Sequence, residues 1–231
     1  METLDILIFG AHPDDAEIGM GGTIAKHTGA GLKLGICDLT LAEMSSNGTV
    51  ESRQMEAQEA ARELGLVMRS NLKLPDRGLF LTPEPIERIV AEIRKWRPRL
   101  VFAPYWEDRH PDHIACSKLV QEAVFNAKLR RYKPELPAHT VEETYYYFIN
   151  DVYEPDVIVD VTAVYDRKTA ALKAYRTQFD AAKSGNDYVN TPLNQGYLER
   201  VEARDRLLGQ KRLFPYAEGF VCKAPYVVDR F

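Results

Sequence analysis

Leu4-Asp5-Ile6-Leu7-Ile8-Phe9 is a nearly unbroken apolar run closed by Gly10, and it leads directly into Ala11-His12-Pro13-Asp14-Asp15. A run without polar alternation suits a strand covered on both faces, and such strands sit in parallel sheets joined by helical crossovers. Residues 18–30, with glycines at both ends, supply the first crossover helix, and residues 32–39 form the next strand, so the chain opens β-α-β. Residues 51–64 are rich in Ala, Glu, Gln and Arg, with Gly65 at the C-cap position. Thr82 is placed to cap a helix that carries Ile86, Ile89, Val90, Ile93 and Trp96 on one face and is ended by Pro98. A strand over 100–103, a helix over 114–129, strands over 145–149 and 157–161, and helices over 163–176 and 197–208 complete the pattern. This predicts an α/β chain with a three-layer Rossmann-like fold and a mostly parallel sheet, more irregular in its last third.

Length and composition limit the rest. With 231 residues, 45% of them apolar, the chain can build one sizeable core and only marginally two, so residues 1–231 are expected to form a single domain. Lys and Arg number 30 against 34 Asp and Glu, a net charge of -4 that gives no reason to expect a nucleic-acid or acidic-membrane surface. No apolar run approaches the ~20 residues of a membrane span. Met1 is followed by Glu2 and Asp5 rather than by a basic leader, which points to the cytoplasm, while the charge balance favours a small-molecule substrate. Cys37, Cys116 and Cys222 are too sparse for a disulfide framework and are expected to be reduced, structural thiols.

Chemistry concentrates in two places: residues 11–15 after the first strand, and Arg109-His110-Pro111-Asp112-His113 after the strand at 100–103. The C-terminal edge of an open parallel sheet is where ligands bind, so the fold can bring the two motifs together. His12, Asp15 and His113 match a catalytic zinc site of three protein ligands with a fourth position left for water. Ferrous iron suits the same donors. Pro13 and Pro111 disfavour helix at the preceding histidine, which places the ligands on extended backbone ahead of each helix. Asp14 is the expected general base, His110 the expected cation beside an oxyanion or acid for a leaving amine, and Asp112 the carboxylate that orients His110. His27 and His139 are expected to be solvent-facing and structural. Gly19, Gly21 and Gly22 do not match a dinucleotide-binding loop and are better explained by close packing of helix on sheet.

At these motifs the sequence resembles the LmbE/PIG-L family of zinc-dependent N-acetylglucosaminyl deacetylases, over nearly the whole chain. Asp38-Leu39-Thr40, Glu43, Gly48 and Arg53 resemble that family's second active-site loop and its substrate-binding arginine. Asn190-Thr191-Pro192-Leu193, Gly196-Tyr197-Leu198-Glu199 and Tyr216-Ala217-Glu218-Gly219-Phe220 resemble the branch that deacetylates N-acetylglucosaminyl malate on the way to bacillithiol. The resemblance implies zinc on His12, Asp15 and His113, Asp14 as base, His110 as the charge-stabilising residue, an amino-sugar substrate contacted by Arg53 and Glu43, and a homo-oligomer, trimer or hexamer. Tyr145-Tyr146-Tyr147 is a buried strand or part of an oligomer interface. Two departures stand out: the loop after Thr40 has less glycine than is usual, and Asp108 stands where some relatives carry a tyrosine. A malate group would be met best by a guanidinium fork, from Arg53 or Arg109, whose bland alternative is a surface ion pair, for Arg53 with Glu56 or Glu59. The competing functions are an amidase on bacillithiol S-conjugates, a two-metal phosphoesterase, and a binding module without catalysis.

Overall fold

Alternate side chains of the first strand enter different cores: Ile6 and Ile8 pack on one side of the sheet, Leu7 and Phe9 on the other. That division is the physical reason for the unbroken apolar run. The computed structural model describes residues 3–180 and 188–225. Met1 and Glu2, on which the expected localisation rests, lie outside the described residues.

The elements run β1 Ile6–Gly10, α1 Asp15–Gly29, β2 Leu34–Thr40, α2 Val50–Leu64, β3 Met68–Leu74, α3 Pro83–Trp96, β4 Leu100–Pro104 and α4 Pro111–Ala127. They continue with β5 Glu143–Tyr147, β6 Val157–Asp160, α5 Tyr165–Ala174, α6 Arg176–Phe179, α7 Tyr197–Gln210 and β7 Ala217–Cys222. The described residues form a seven-stranded sheet in the order β3-β2-β1-β4-β5-β7-β6. The first five strands are mutually parallel, and β7 runs antiparallel to both β5 and β6. Helices α1, α2, α5 and α7 contribute to the core on one face, α3 and α4 to the core on the other. The three-layer, mostly parallel α/β architecture is therefore present. Among the described residues no helix is long and apolar enough to cross a membrane.

Strand order reverses between β1 and β4, whose register pairs Ile6 with Leu100. Both chemical motifs leave the sheet at this switch point, where diverging crossovers open a crevice.

Several expectations need correction. Strands β3 and β7 were not expected from the sequence pattern. Helices α1 and α4 begin three residues earlier than expected, at Asp15 and Pro111, so Asp15 and His113 lie in first helical turns rather than on extended backbone. Proline is tolerated there because the N–H it lacks would have no partner in a first turn. The helix expected over 163–176 is divided into a short 3-10 turn, α5 and the start of α6. His27 and His139 are half-buried rather than solvent-facing, each with a ring nitrogen 2.7 Å from a backbone carbonyl, of Thr23 and Pro98. Tyr146 and Tyr147 are buried inside β5, which leaves them unavailable to an interface.

Packing explains the glycines of α1. A Cβ on Gly19 would lie 2.2 Å from the Tyr147 ring, and one on Gly22 would lie 2.7 Å from Val161. The helix is also broken at Met20 (φ -149°, ψ 23°). Ile18 O, freed by the break, accepts from Arg204, while the Gly22 and Thr23 amides donate to the Glu218 carboxylate.

Candidate active site

Two turns build the site. After β1, the His12 amide donates to Asp15 Oδ2 (2.9 Å), which fixes the carboxylate at the head of α1. After β4, His110 is extended and caps α4, its ring Nδ1 accepting the Asp112 N–H (3.2 Å), so that His113 falls on the first turn.

The three expected ligands converge. Asp15 Oδ1 lies 3.1 Å from His113 Nε2, and Asp15 Oδ2 lies 3.7 Å from His12 Nδ1. The two histidines face different oxygens of the Asp15 carboxylate, and ring nitrogens of His12, His110 and His113 lie within 4.8 Å of one another, so the cluster gathers metal-type donors without presenting a finished tetrahedral set. The opposite ring nitrogens face further carboxylates: His12 Nε2 is 3.2 Å from Asp76 and 3.4 Å from Asp112, and His113 Nδ1 is 3.0 Å from Asp108. Carboxylates in that position orient metal-binding imidazoles and fix their tautomers.

Electrostatics agree with a cation site. Burial by itself lowers the pKa of His12, but Asp112, Asp76 and Asp15 outweigh it and push the value up to about 10. Burial likewise opposes charge on His113, and Asp15 and Asp108 raise it to about 9. Burial would raise Asp15, yet His113 and His12 hold it well below the usual carboxylate range. The surrounding carboxylates thus demand positive charge, which protons supply in the absence of an ion and a divalent cation would supply in their place. The chemistry of this His/Asp cluster therefore suits a divalent cation, which the expected ligands His12, Asp15 and His113 would hold.

Asp14 occupies a strained backbone position, φ 119° and ψ -24°, where an L side chain is rarely found. Arg53 clamps it. Nη2 donates to Asp14 Oδ2 (2.7 Å) and to Pro13 O (2.7 Å), and Nε donates to Pro13 O (3.0 Å). Burial raises the Asp14 carboxyl, Arg53 partly offsets this, and the net value is about 7. A base of that strength is half ionised near neutral pH.

Arg53 pairs with neither Glu56 nor Glu59, which bond Thr177 and Arg176. Its Nη1 is buried without a partner and is the part of the fork left for a ligand. Arg109 is exposed, lines the cleft and makes no ion pair among the described residues. Glu43 is exposed, and its carboxylate accepts the Asp76 N–H instead of lining the cleft.

Two roles change. The Asp112 carboxylate makes no bond to His110: it faces His12 and accepts from the Arg77 backbone and side chain (2.8 and 2.7 Å), and its upward pull on the His110 pKa is outweighed. His110 is not favoured as a cation, because burial and the positive His113 and His12 lower its pKa. With Nδ1 accepting, a neutral His110 carries its proton on Nε2 and acts as a donor.

Asp76 and Arg77 are site residues that the sequence pattern did not single out, and Asp108, noted there only as a departure from the family pattern, is a third. Asp76 and Arg77 lie in Pro75-Asp76-Arg77-Gly78 at the end of β3, a turn sequence at the ligand-binding edge of a strand not recognised from its pattern. Asp108 also accepts from the His110 amide (2.7 Å) and the Asn150 side chain (2.8 Å), which ties the second turn to the loop after β5.

The cleft over these residues measures about 690 Å³. His12, Asp14, Asp15, His110 and His113 line it together with Arg53, Arg77 and Arg109, and Met44, Pro192, Leu193 and Tyr197 add apolar surface.

Comparison with known proteins places this geometry. The PIG-L family profile, described as GlcNAc-PI de-N-acetylase, matches residues 7–124. The diacetylchitobiose deacetylase of Thermococcus kodakarensis is 31% identical over 189 residues, 75% of this chain and 70% of that one. The probable N-acetyl-alpha-D-glucosaminyl L-malate deacetylase 2 of Bacillus subtilis is 31% identical over 186 residues, 75% of this chain and 82% of that one. The crystal structure of a conserved protein from Thermus thermophilus superposes with a TM-score of 0.89 at 40% identity, over 98% of this chain and 97% of that one. With both motifs inside the matched segment and relatives of this kind, the chain belongs to the PIG-L/LmbE family of deacetylases.

Proposed function

We propose that this protein hydrolyses the N-acetyl amide of an N-acetylglucosaminyl conjugate, with N-acetylglucosaminyl malate as the substrate and acetate and a free amine as products. The observation that carries the proposal is Asp14, a buried carboxyl clamped by Arg53 that lines the same cleft as the clustered His12, Asp15 and His113. His12, Asp15 and His113 would hold zinc, and ferrous iron suits the same donors. Such an ion supplies Lewis acidity toward the amide oxygen and eases ionisation of water.

The side chains do the remaining work. Asp14 accepts a proton from the attacking water, and Arg53 keeps the carboxylate aimed while leaving only Nη1 for the sugar. His110 presents Nε2–H to the oxygen that gains charge as the carbonyl is attacked. The proton on Asp14 is then available to the departing nitrogen, so one water is consumed for each acetate and amine formed. Arg109, which lines the cleft without an ion pair among the described residues, is the guanidinium available to a malate carboxylate. The proposal extends to a cytoplasmic enzyme that assembles as a trimer or hexamer.

Release of the free glucosaminyl amine from three compounds tests the substrate: N-acetylglucosaminyl malate, N-acetylglucosamine, and a bacillithiol S-conjugate. The malate glycoside is expected to give the largest kcat/KM. Amide cleavage confined to the S-conjugate would replace the proposal with the amidase reading, and no free amine from any of the three would end it. A two-ion phosphoesterase gains one geometric point, the grouping of His12 with Asp76 and Asp112. Against it, Arg77 already engages Asp112, and the Met44 N–H engages Asp76.

A further inference from the structure

The loop between β2 and α2 carries Asn47, a polar residue that is only 5% exposed. Its side chain behaves as a strand partner would. Nδ2 donates to Val189 O (2.8 Å), and Oδ1 accepts the Val189 N–H (2.9 Å), so one amide satisfies both backbone groups of a residue 142 positions away. The Asn47 backbone carbonyl is itself held by Gln178 Nε2 (2.9 Å), and Gln178 Oε1 accepts from Ser45 Oγ (3.2 Å). On the other side, Asn194 Nδ2 also reaches Val189 O (3.0 Å), and Asn194 closes a capping box with Thr191.

What this joins is a wall of the cleft. Met44, Ser45 and Ser46 come from the loop that Asn47 ends, and Thr191, Pro192 and Leu193 come from the segment that Val189 begins; all six line the cleft. None of these six side chains bonds to His12, Asp15 or His113 among the described residues, whereas the groups proposed for the amide chemistry come from the turns after β1 and β4, with Arg53 of α2 holding Asp14. A cleft of about 690 Å³ is also in the size range of drug-like ligands, larger than a single sugar ring requires. The acetamide must lie at the metal-binding turns, so the remaining volume belongs to the group carried by the sugar.

We propose that Asn47 is a specificity-determining positioning residue: its amide zips the loop at residues 41–49 to the segment at 188–196, and the wall so formed reads the aglycone rather than the acetamide. Asn47 touches no substrate and acts through the wall it fixes. The mixture of apolar surface and three hydroxyls suits a compact, polar but carbon-bearing aglycone. The inference rests on the deacetylase reading above and adds the device by which that site selects its substrate.

The test compares zinc-loaded wild type with Asn47→Ala and with Asn47→Asp, which is isosteric but loses the donor to Val189 O. For N-acetylglucosaminyl malate, KM is expected to rise about tenfold in both variants, with kcat changed less than about twofold, the loss expected from removing one or two net hydrogen bonds. For N-acetylglucosamine, which has no aglycone, kcat/KM should stay within about twofold. Equal losses on both compounds, or no loss on either, would overturn the proposal. Amide hydrogen exchange at Val189, read in the same proteins, keeps the zip testable if no compound is turned over. Protection in wild type that falls at least about tenfold in Asn47→Ala supports it, and an unprotected Val189 in wild type contradicts it. Wild type that frees no acetate while Val189 is protected would count against the deacetylase reading, not against the zip.

Discussion

Asp14 is held at φ 119° by an arginine whose fork is committed to the strained turn itself, to Pro13 O and Asp14 Oδ2. Strain of this kind costs roughly 1–3 kcal/mol and persists only where neighbours over-determine it. Arg53→Lys keeps a charge but cannot reach both acceptors with fixed geometry, so kcat is expected to fall by at least about tenfold with metal content unchanged. A purely substrate-binding Arg53 would show the loss in KM instead. For His110→Ala the expected result is full metal content and a kcat lower by roughly 10²-fold, the scale of one lost oxyanion donor. His113→Ala should lose the metal, as measured by elemental analysis, and the reverse pattern would mean that the two histidines exchange roles. Asp108→Asn removes the carboxylate facing His113 Nδ1 and is expected to weaken metal binding by about 10- to 100-fold, read by competition with a chelating dye. Unchanged affinity would reduce Asp108 to a backbone tie for His110.

Among the elements, α1 carries the heaviest constraints, because it starts with Asp15, a proposed metal ligand, crosses Tyr147 at Gly19 and breaks at Met20. The break is stitched from the far end of the chain. Arg204 takes the freed carbonyl, Glu218 takes the freed amides, and Lys168, fully buried, bridges Glu218 and Asp205 at 2.6 Å each. Lys168→Met leaves two buried carboxylates facing each other and should cost about 3–5 kcal/mol in denaturant unfolding, since breaking one partner of a buried pair strands the other. A loss below about 1 kcal/mol would show that water reaches the network. The same stitching explains what the sequence pattern conceals. β7 contains Glu218 and Gly219 where alternating apolar residues would advertise a strand, because Glu218 is committed to α1. β3, at the sheet edge, carries Arg69 inward to Asp38 and Glu17, so its pattern looks polar although the arginine side chain is buried. By contrast β1, β2, β4 and the helix closed by Gly65 follow local rules and are legible residue by residue.

Across the molecule, the switch point between β1 and β4 turns two distant motifs into one site, and that much can be read from the sequence because each motif directly follows an apolar strand. The carboxylates that surround the histidines could not be read in the same way. Asp76 depends on recognising β3, and the choice of Asp108 over Asp112 as partner of the second turn depends on how α4 begins. A single ion on His12, Asp15 and His113, with Asp14 beside it, is what would drive amide hydrolysis. Acetate release from N-acetylglucosaminyl malate, followed as zinc is titrated into chelator-stripped protein, measures this requirement. Activity should rise from near zero to a plateau at one equivalent per chain, with Asp14→Ala binding the same equivalent yet staying near zero. No acetate at any loading, a plateau only at two equivalents, or an active Asp14→Ala would each contradict it.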